Sequence, residues 1–191
     1  MPGQAGEDHR VNDPPCPGAG EAPSSWIVRH AGLARPGCLA LDLACGRGRH
    51  ARFLAGRGHL VLAVDRDASA LAGLAGVAGV TTRCADLEDG DWPLSGESFG
   101  LVVVTRYLWR PRFRELIACV GEGGVLLYET FTRGHERLGK PMRAEFLLEA
   151  GELLELARGW ADVIAHEERA IDGAKPALVQ RLAARRSTRH G

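Results

Sequence analysis

The feature that most constrains this chain is a rhythm of short apolar runs, each ending where a glycine, an acid or a polar residue begins. Five such runs occur: Cys38–Ala44, Leu60–Val64, Val80–Cys84, Phe99–Thr105 and Gly123–Phe131. Each is short enough for a strand, and all but Val80–Cys84 are too continuously apolar for a solvated face, as expected of strands covered on both sides. Between them lie stretches that read as helix: Gly48–Ala55, Asp67–Val77 (diluted by Gly73 and Gly76), Pro111–Val120 with proline in its first turn, and a long amphipathic Arg143–Arg158. Before the first strand, Ser24 and Ser25 precede Trp26, Ile27 and Val28, the pattern of a short capped helix. Strand and helix in alternation predict a doubly wound α/β domain with a mostly parallel sheet. The last segment breaks the rhythm. Ala161–Ile171 and Ala177–Ala184 flank Asp172-Gly173, so an antiparallel hairpin is expected, although their apolar spacing fits a helix in part.

The length of 191 residues suits one domain. Met1–Pro23 holds five prolines and four glycines and little to bury, so a loose or disordered arm is expected there, with the domain running over 24–191. Lys plus Arg and Asp plus Glu both number 24, which leaves no overall electrostatic footprint for nucleic acid or an acidic membrane surface. The five cysteines are scattered with no C-x-x-C pair, arguing against a disulfide framework or a zinc site, and no metal is expected. No run approaches the roughly 20 apolar residues of a membrane helix, and the N-terminus lacks a signal peptide's apolar stretch. The expectation is a cytoplasmic protein, monomer or homodimer, acting on a small molecule.

The segment Leu41-Asp42-Leu43-Ala44-Cys45-Gly46-Arg47-Gly48-Arg49-His50 stands where the first strand becomes the first major helix. Gly46 and Gly48 let the backbone turn sharply and approach a ligand closely. Ligands of open α/β sheets bind at the carboxyl ends of strands, which is where this turn falls. Asp65 follows Gly46 by 19 residues, at the end of the second strand, where a carboxylate can accept from both hydroxyls of a ribose. Two readings follow. Gly46 to Ala51 satisfies G-x-G-x-x-G/A, the fingerprint of nicotinamide-dependent oxidoreductases. Against it, Asp42 places a negative charge four residues before Gly46, which opposes a pyrophosphate and suits an ammonium. A third reading is a catalytically silent cofactor-binding module.

The run LDLACGRGRHARFLAGRGHLVLAVDRD resembles the glycine-rich motif and the following acidic motif of class I S-adenosylmethionine-dependent methyltransferases. The likeness extends over roughly Ser24–Ala184 and is greatest to small bacterial members akin to tellurite-resistance and thiopurine methyltransferases. It implies a Rossmann-like domain binding S-adenosylmethionine and releasing S-adenosylhomocysteine. By that resemblance Asp42 serves the methionine end of the cofactor and Asp65 the ribose. Asp86 meets the adenine amino group, with Leu87 giving a backbone contact. Ala44, Cys45, Gly46, Gly48 and Arg66 line the turn, and Thr105 borders the methionine. Family members often carry glycine where this chain has Ala44.

The remaining candidates have two readings each. Asp67 is a better helix cap than Asp65, leaving Asp65 for a ligand. Cys45 is a nucleophile or a small residue packed in the turn; the absence of a histidine partner favours packing. His50 reads as a packing or helix-surface residue rather than a general base. Arg47 and Arg49 are either solvated or within reach of a cofactor carboxylate. Arg106, Tyr107 and Arg110, with Trp109 among them, follow the fourth strand directly, where an acceptor would lie. They recognise an anionic or planar acceptor, or else pack and solvate. Glu129 ends the fifth strand at the same rim and is a further candidate acceptor contact. The basic tail Arg181–His190 reads as a solvated terminus. The proposed chemistry is displacement of a sulfonium methyl by an O, N, S or other soft atom, which needs alignment more than acid–base help.

Overall fold

The computed structural model of the chain describes residues 21–172 and 175–188. Most of the expected N-terminal arm, and Gly173 of the expected turn, lie outside the described residues. Among the described residues seven strands form one sheet: β1 (Leu39–Leu43), β2 (Leu60–Asp65), β3 (Val80–Cys84), β4 (Phe99–Thr105), β5 (Val120–Phe131), β6 (Ala161–Ile171) and β7 (Ala177–Arg186). Their spatial order is β3-β2-β1-β4-β5-β7-β6. The first five run parallel, while β7 inserts antiparallel between β5 and β6. This arrangement is the class I methyltransferase fold. An all-parallel dinucleotide-binding sheet in the order 3-2-1-4-5-6 has no such inserted strand.

Strand alternation sorts the core into two layers. Ala40, Val61, Ala63, Leu101, Val103, Val125, Leu127 and Ala183 pack against Trp26 and Ile27 of α1 (Ser25–His30), Ala51 and Leu54 of α2 (Arg49–Gly56), and Leu71 of α3 (Ala68–Ala72). The intervening residues Leu41, Leu43, Val64, Val102, Val104, Leu126, Tyr128 and Leu182 face Leu116 of α4 (Phe113–Ala118) and Leu153 of α5 (Glu152–Ala157). Helices therefore cover both faces, and β4, with valines on both sides, is buried almost throughout.

Local chemistry accounts for the helix ends. Ser24 caps α1, its hydroxyl accepting from Trp26 N, and Asp67 caps α3, accepting from Ser69 N and Ala70 N. Three helices differ from the expected lengths. α3 ends at Ala72, where the sequence runs into Gly73 and Gly76. Pro111 opens a single 3-10 turn, Arg110–Arg112, before α4, and Val120 already belongs to β5. The expected long helix over Arg143–Arg158 is the main correction. Only a 3-10 turn, Ala144–Phe146, and the six residues of α5 are helical. Leu147 is extended, Leu148 N donates to Phe131 O at 2.9 Å, and Thr132 Oγ1 donates to Leu148 O, so this stretch bridges to the end of β5. Leu147 and Leu148 are fully buried, so their apolar spacing came from packing of extended chain rather than from a helical face.

At the far edge, β6 and β7 pair as the expected hairpin, with a bulge between Val163 and Ala165. Cys38, Cys45, Cys84 and Cys119 are all free thiols. Among the described residues no helix is long and apolar enough to cross a membrane.

Candidate functional site

Sheet order reverses direction at β1, with β2 and β3 on one side and β4 and β5 on the other. The carboxyl ends of β1, β2 and β4 thus lie together at the switch point, whose crevice is where ligands of open α/β sheets bind, and the glycine turn lies there. Ala44 and Gly46 lie in the left-handed region at φ +52° and +55°, followed by Gly48 at +72°. A Cβ on Gly46 would meet nothing within 4 Å, whereas one on Gly48 would collide with the Leu74 side chain at 2.5 Å. The two glycines therefore do different things. Gly46 presents bare backbone to the crevice, and Gly48 lets the turn pack against the segment after α3. Ala44, where the resembling family often has glycine, carries a left-handed conformation that a Cβ disfavours by about 1 kcal/mol.

Two buried carboxylates hold this turn. Asp65, at the end of β2, accepts from Gly46 N through Oδ2 and from Asp67 N through Oδ1, both at 2.8 Å. Asp67 thus takes the cap, as the sequence implied, but Asp65 is itself engaged by the turn and keeps only remaining lone pairs for a ligand. Asp42, on the α2 side of β1, accepts from Ala51 N at 2.8 Å, satisfying an amide in the first turn of a helix whose N-cap, Gly48, has no side chain to do so. Burial pushes the Asp42 carboxyl up to about 7, against the opposing pull of the Ala51 amide and the Arg49 charge.

His50 is fully buried and engaged at both nitrogens. Ser24 N lies 3.1 Å from Nε2, and a backbone amide can only donate, so Nε2 is the unprotonated nitrogen. The proton therefore sits on Nδ1, 3.3 Å from Thr105 Oγ1 at the end of β4. Burial, helped by the Arg49 and Arg106 charges, lowers its pKa to about 3. His50 is a neutral packing and positioning group, as its sequence context implied.

Arg106 follows Thr105 at φ +54°, so it and Ala44 are the two non-glycine residues with positive φ among the described residues. Strain of this kind concentrates where a backbone is shaped for a ligand. Tyr107 is buried in the core beneath the rim, its carbonyl accepting from Tyr128 OH at 2.9 Å. Asp86 is exposed after β3 and accepts from Glu88 N, while Leu87 is buried beside it. Cys45 is buried in the turn and Arg66 is half-buried.

Two acceptor-side candidates have structural tasks. Arg110 grips Glu152 through Nε at 2.6 Å and Nη2 at 2.7 Å, and its Nη1 and Nη2 also donate to the carbonyls of Glu145 and Leu147. It clamps the 145–152 segment to the rim. Glu129 is buried, accepting from Arg181 Nε at 2.6 Å and from Ser24 Oγ at 2.9 Å. Sequence reasoning missed Arg181 as a partner, because β7 lies 52 residues from Glu129 and no local spacing links them. An open depression of about 430 Å³, lined by Arg110, Arg133, Glu145, Glu149, Glu152 and Glu155, includes no residue of the glycine turn. Its glutamates are matched by arginines, so we do not place the cofactor there.

Residues 40–124 match the family model described as a methyltransferase domain. Over its described residues the chain has the class I methyltransferase fold. Its fold resembles TehB from Haemophilus influenzae at TM-score 0.68 and 20% identity, over 84% of this chain and 61% of that protein. A SAM-dependent methyltransferase from Methanosarcina mazei superposes at TM-score 0.68 and 14% identity, over 88% of this chain and 100% of that one. The N-methyltransferase NodS from Bradyrhizobium japonicum WM9 does so at 0.63 and 15%, over 84% and 96%. The chain thus spans less than two thirds of the Haemophilus protein, and no curated protein matches it significantly in sequence.

Proposed function

We propose that this methyltransferase domain binds S-adenosylmethionine in the crevice above the glycine turn and transfers its methyl group to a small-molecule acceptor. The observation that carries the reading is the pairing of Gly46, bare toward the crevice, with Asp65 bonded to its amide from the neighbouring strand. That pair leaves carboxylate lone pairs at the carboxyl ends of β1 and β2, where ligands of open α/β sheets bind. The donor set fits the cofactor: Asp65 for the ribose, Asp86 and Leu87 beyond β3 for the base, Asp42 and Thr105 toward the methionine. Ala44, Cys45, Gly48 and Arg66 shape the floor.

When bound, S-adenosylmethionine supplies a methyl group already activated on a sulfonium. This chain's residues then have to bind, orient and exclude water. An ammonium beside the turn would favour the ionised form of Asp42, whose pKa burial otherwise raises to about 7. His50, neutral and held at both nitrogens, fixes Thr105 rather than moving a proton. Arg106 borders the acceptor opening, with Tyr107 buried in the core beneath it. The tellurite-resistance and N-methyltransferase likenesses support a small acceptor without choosing its atom, and a cytoplasmic setting accords with it. A nicotinamide cofactor is disfavoured by the inserted antiparallel β7 and by the buried acid under the turn.

Calorimetric titration with S-adenosylmethionine, S-adenosylhomocysteine and NADH tests the reading. Micromolar binding of the first two and none of NADH is expected. Binding of NADH alone would overturn it, and binding of none would favour a silent module.

A further inference from the structure

The mouth of the crevice holds a carboxylate already. Glu21 extends from the N-terminal segment to place Oε1 2.5 Å from Arg49 Nη1 and 2.8 Å from Arg106 Nη2, with Oε2 3.3 Å from Arg106 Nη1. Arg49 comes from the first turn of α2 and Arg106 from the end of β4, so the two cations converge from opposite sides of the switch point. Arg49 is mostly enclosed, with 14% of its side chain exposed against 53% for Glu21. The two guanidinium groups repel, Arg49 largely enclosed and Arg106 with 34% of its side chain exposed, and burial and the Arg106 charge both disfavour the Arg49 cation. An anion between them relieves that repulsion.

Glu21 is held on a short tether. Three residues on, Ser24 is fixed by its amide to His50 Nε2 and by its hydroxyl to Glu129 Oε2. Those anchors are buried or half-buried and do not involve Glu21. The glutamate can leave the arginines while Ser24 stays. Next to the pair lies Asp42, buried beneath α2 and electrostatically coupled to Arg49. Two cations beside one acid complement a zwitterionic amino-acid group, whose carboxylate and ammonium are adjacent.

We propose that Arg49 and Arg106 form a carboxylate seat that Glu21 fills in the free protein and vacates for the amino-acid carboxylate of the nucleoside ligand. The inference rests on the cofactor reading above and adds to it a built-in competitor. It makes residue 21 a determinant of affinity for ligands that carry the carboxylate, and indifferent to ligands that lack it.

The test compares S-adenosylhomocysteine with 5′-methylthioadenosine, which keeps the nucleoside and sulfur but lacks the amino acid. Both are titrated into the whole chain and into its Glu21→Gln and Arg106→Gly variants; glycine suits the positive φ at 106. Removing a partly exposed ion pair should tighten S-adenosylhomocysteine about three- to fivefold in Glu21→Gln. Arg106→Gly should weaken it about tenfold or more. Neither variant should move 5′-methylthioadenosine by more than about twofold, a control that also reports an intact fold. If Glu21→Gln leaves the ratio of the two affinities unchanged, or weakens S-adenosylhomocysteine selectively, the seat is not contested and the inference fails while the cofactor reading stands. If the wild-type chain binds neither nucleoside, the cofactor reading itself falls and takes this one with it.

Discussion

The turn after β1 and the rim formed by β5 and β7 are both held by buried carboxylates, yet they are built in opposite ways. At the turn, Asp42 and Asp65 bind backbone amides of Ala51, Gly46 and Asp67, all within 19 residues along the chain. At the rim, Glu129 binds the Arg181 guanidinium across 52 residues and Ser24 across 105. Arg181 also reaches Glu167 at 3.2 Å and lies over the Trp26 ring. The first construction uses charge to shape a local loop at the carboxyl ends of β1 and β2. The second uses charge to join distant segments and closes them away from solvent. Both regions bury their carboxylates, the first satisfying them with backbone amides and the second with a guanidinium and a hydroxyl.

The comparison breaks most easily at the rim. Arg181→Met leaves Glu129 as a buried acid without its cation and should cost about 3–5 kcal/mol, read from urea unfolding. Glu129→Leu combined with Arg181→Met should recover much of that loss, because the desolvation of both ions goes too. At the turn, Gly48→Ala meets both the Leu74 contact and a positive φ and should cost about 2–3 kcal/mol by the same measurement.

A pH series sharpens the contrast within the turn. Asp42 is raised to about 7 in the fold from an ordinary 3.8, so the native state binds the extra proton between those values. Its contribution to stability is lost as pH rises from about 4 to 7. His50 is lowered to about 3 from 6.5, so the unfolded state binds the proton and stability is lost as pH falls from 6.5 toward 3. The two slopes oppose each other over most of this window. Asp42→Asn should expose a fall in stability on acidification below 6.5, and His50→Gln a rise on acidification below 7. Parallel slopes in the two variants would contradict the burial assigned to one of them. The smallest effect is expected at Ala44. Replacing it by glycine should raise stability by about 0.5–1 kcal/mol, the left-handed strain outweighing the added freedom of the unfolded chain.

These differences also explain what could be read from residue order. Strand boundaries at β3 and β4, the caps at Ser24 and Asp67, and the hairpin of β6 and β7 are local, and their residue types state them. So is the glycine turn, although its sequence did not reveal that Asp65 grips Gly46 N. Arg110 looked like a ligand contact because it follows β4, but its donors meet carbonyls and an acid 35 to 42 residues onward. The 143–158 stretch carried helical spacing because Leu147 and Leu148 are buried for a tertiary reason, their pairing with the end of β5. Where a side chain's partner is remote, composition and periodicity have no means to name it.

The inserted position of β7 has a consequence for how the chain comes together during synthesis. β7 follows all other strands in sequence, yet it lies between β5 and β6 and supplies Leu182, Ala183 and Ala184 to the core. Trp26, near the beginning, donates from Nε1 to Leu182 O at 3.2 Å. Until β7 leaves the ribosome, the edge of β5 offers an unpaired ladder, Trp26 lacks its acceptor and Glu129 its arginine. Completion of the domain therefore waits on its final strand, and a nascent chain stalled before Ala177 exposes a hydrophobic edge open to pairing with other chains.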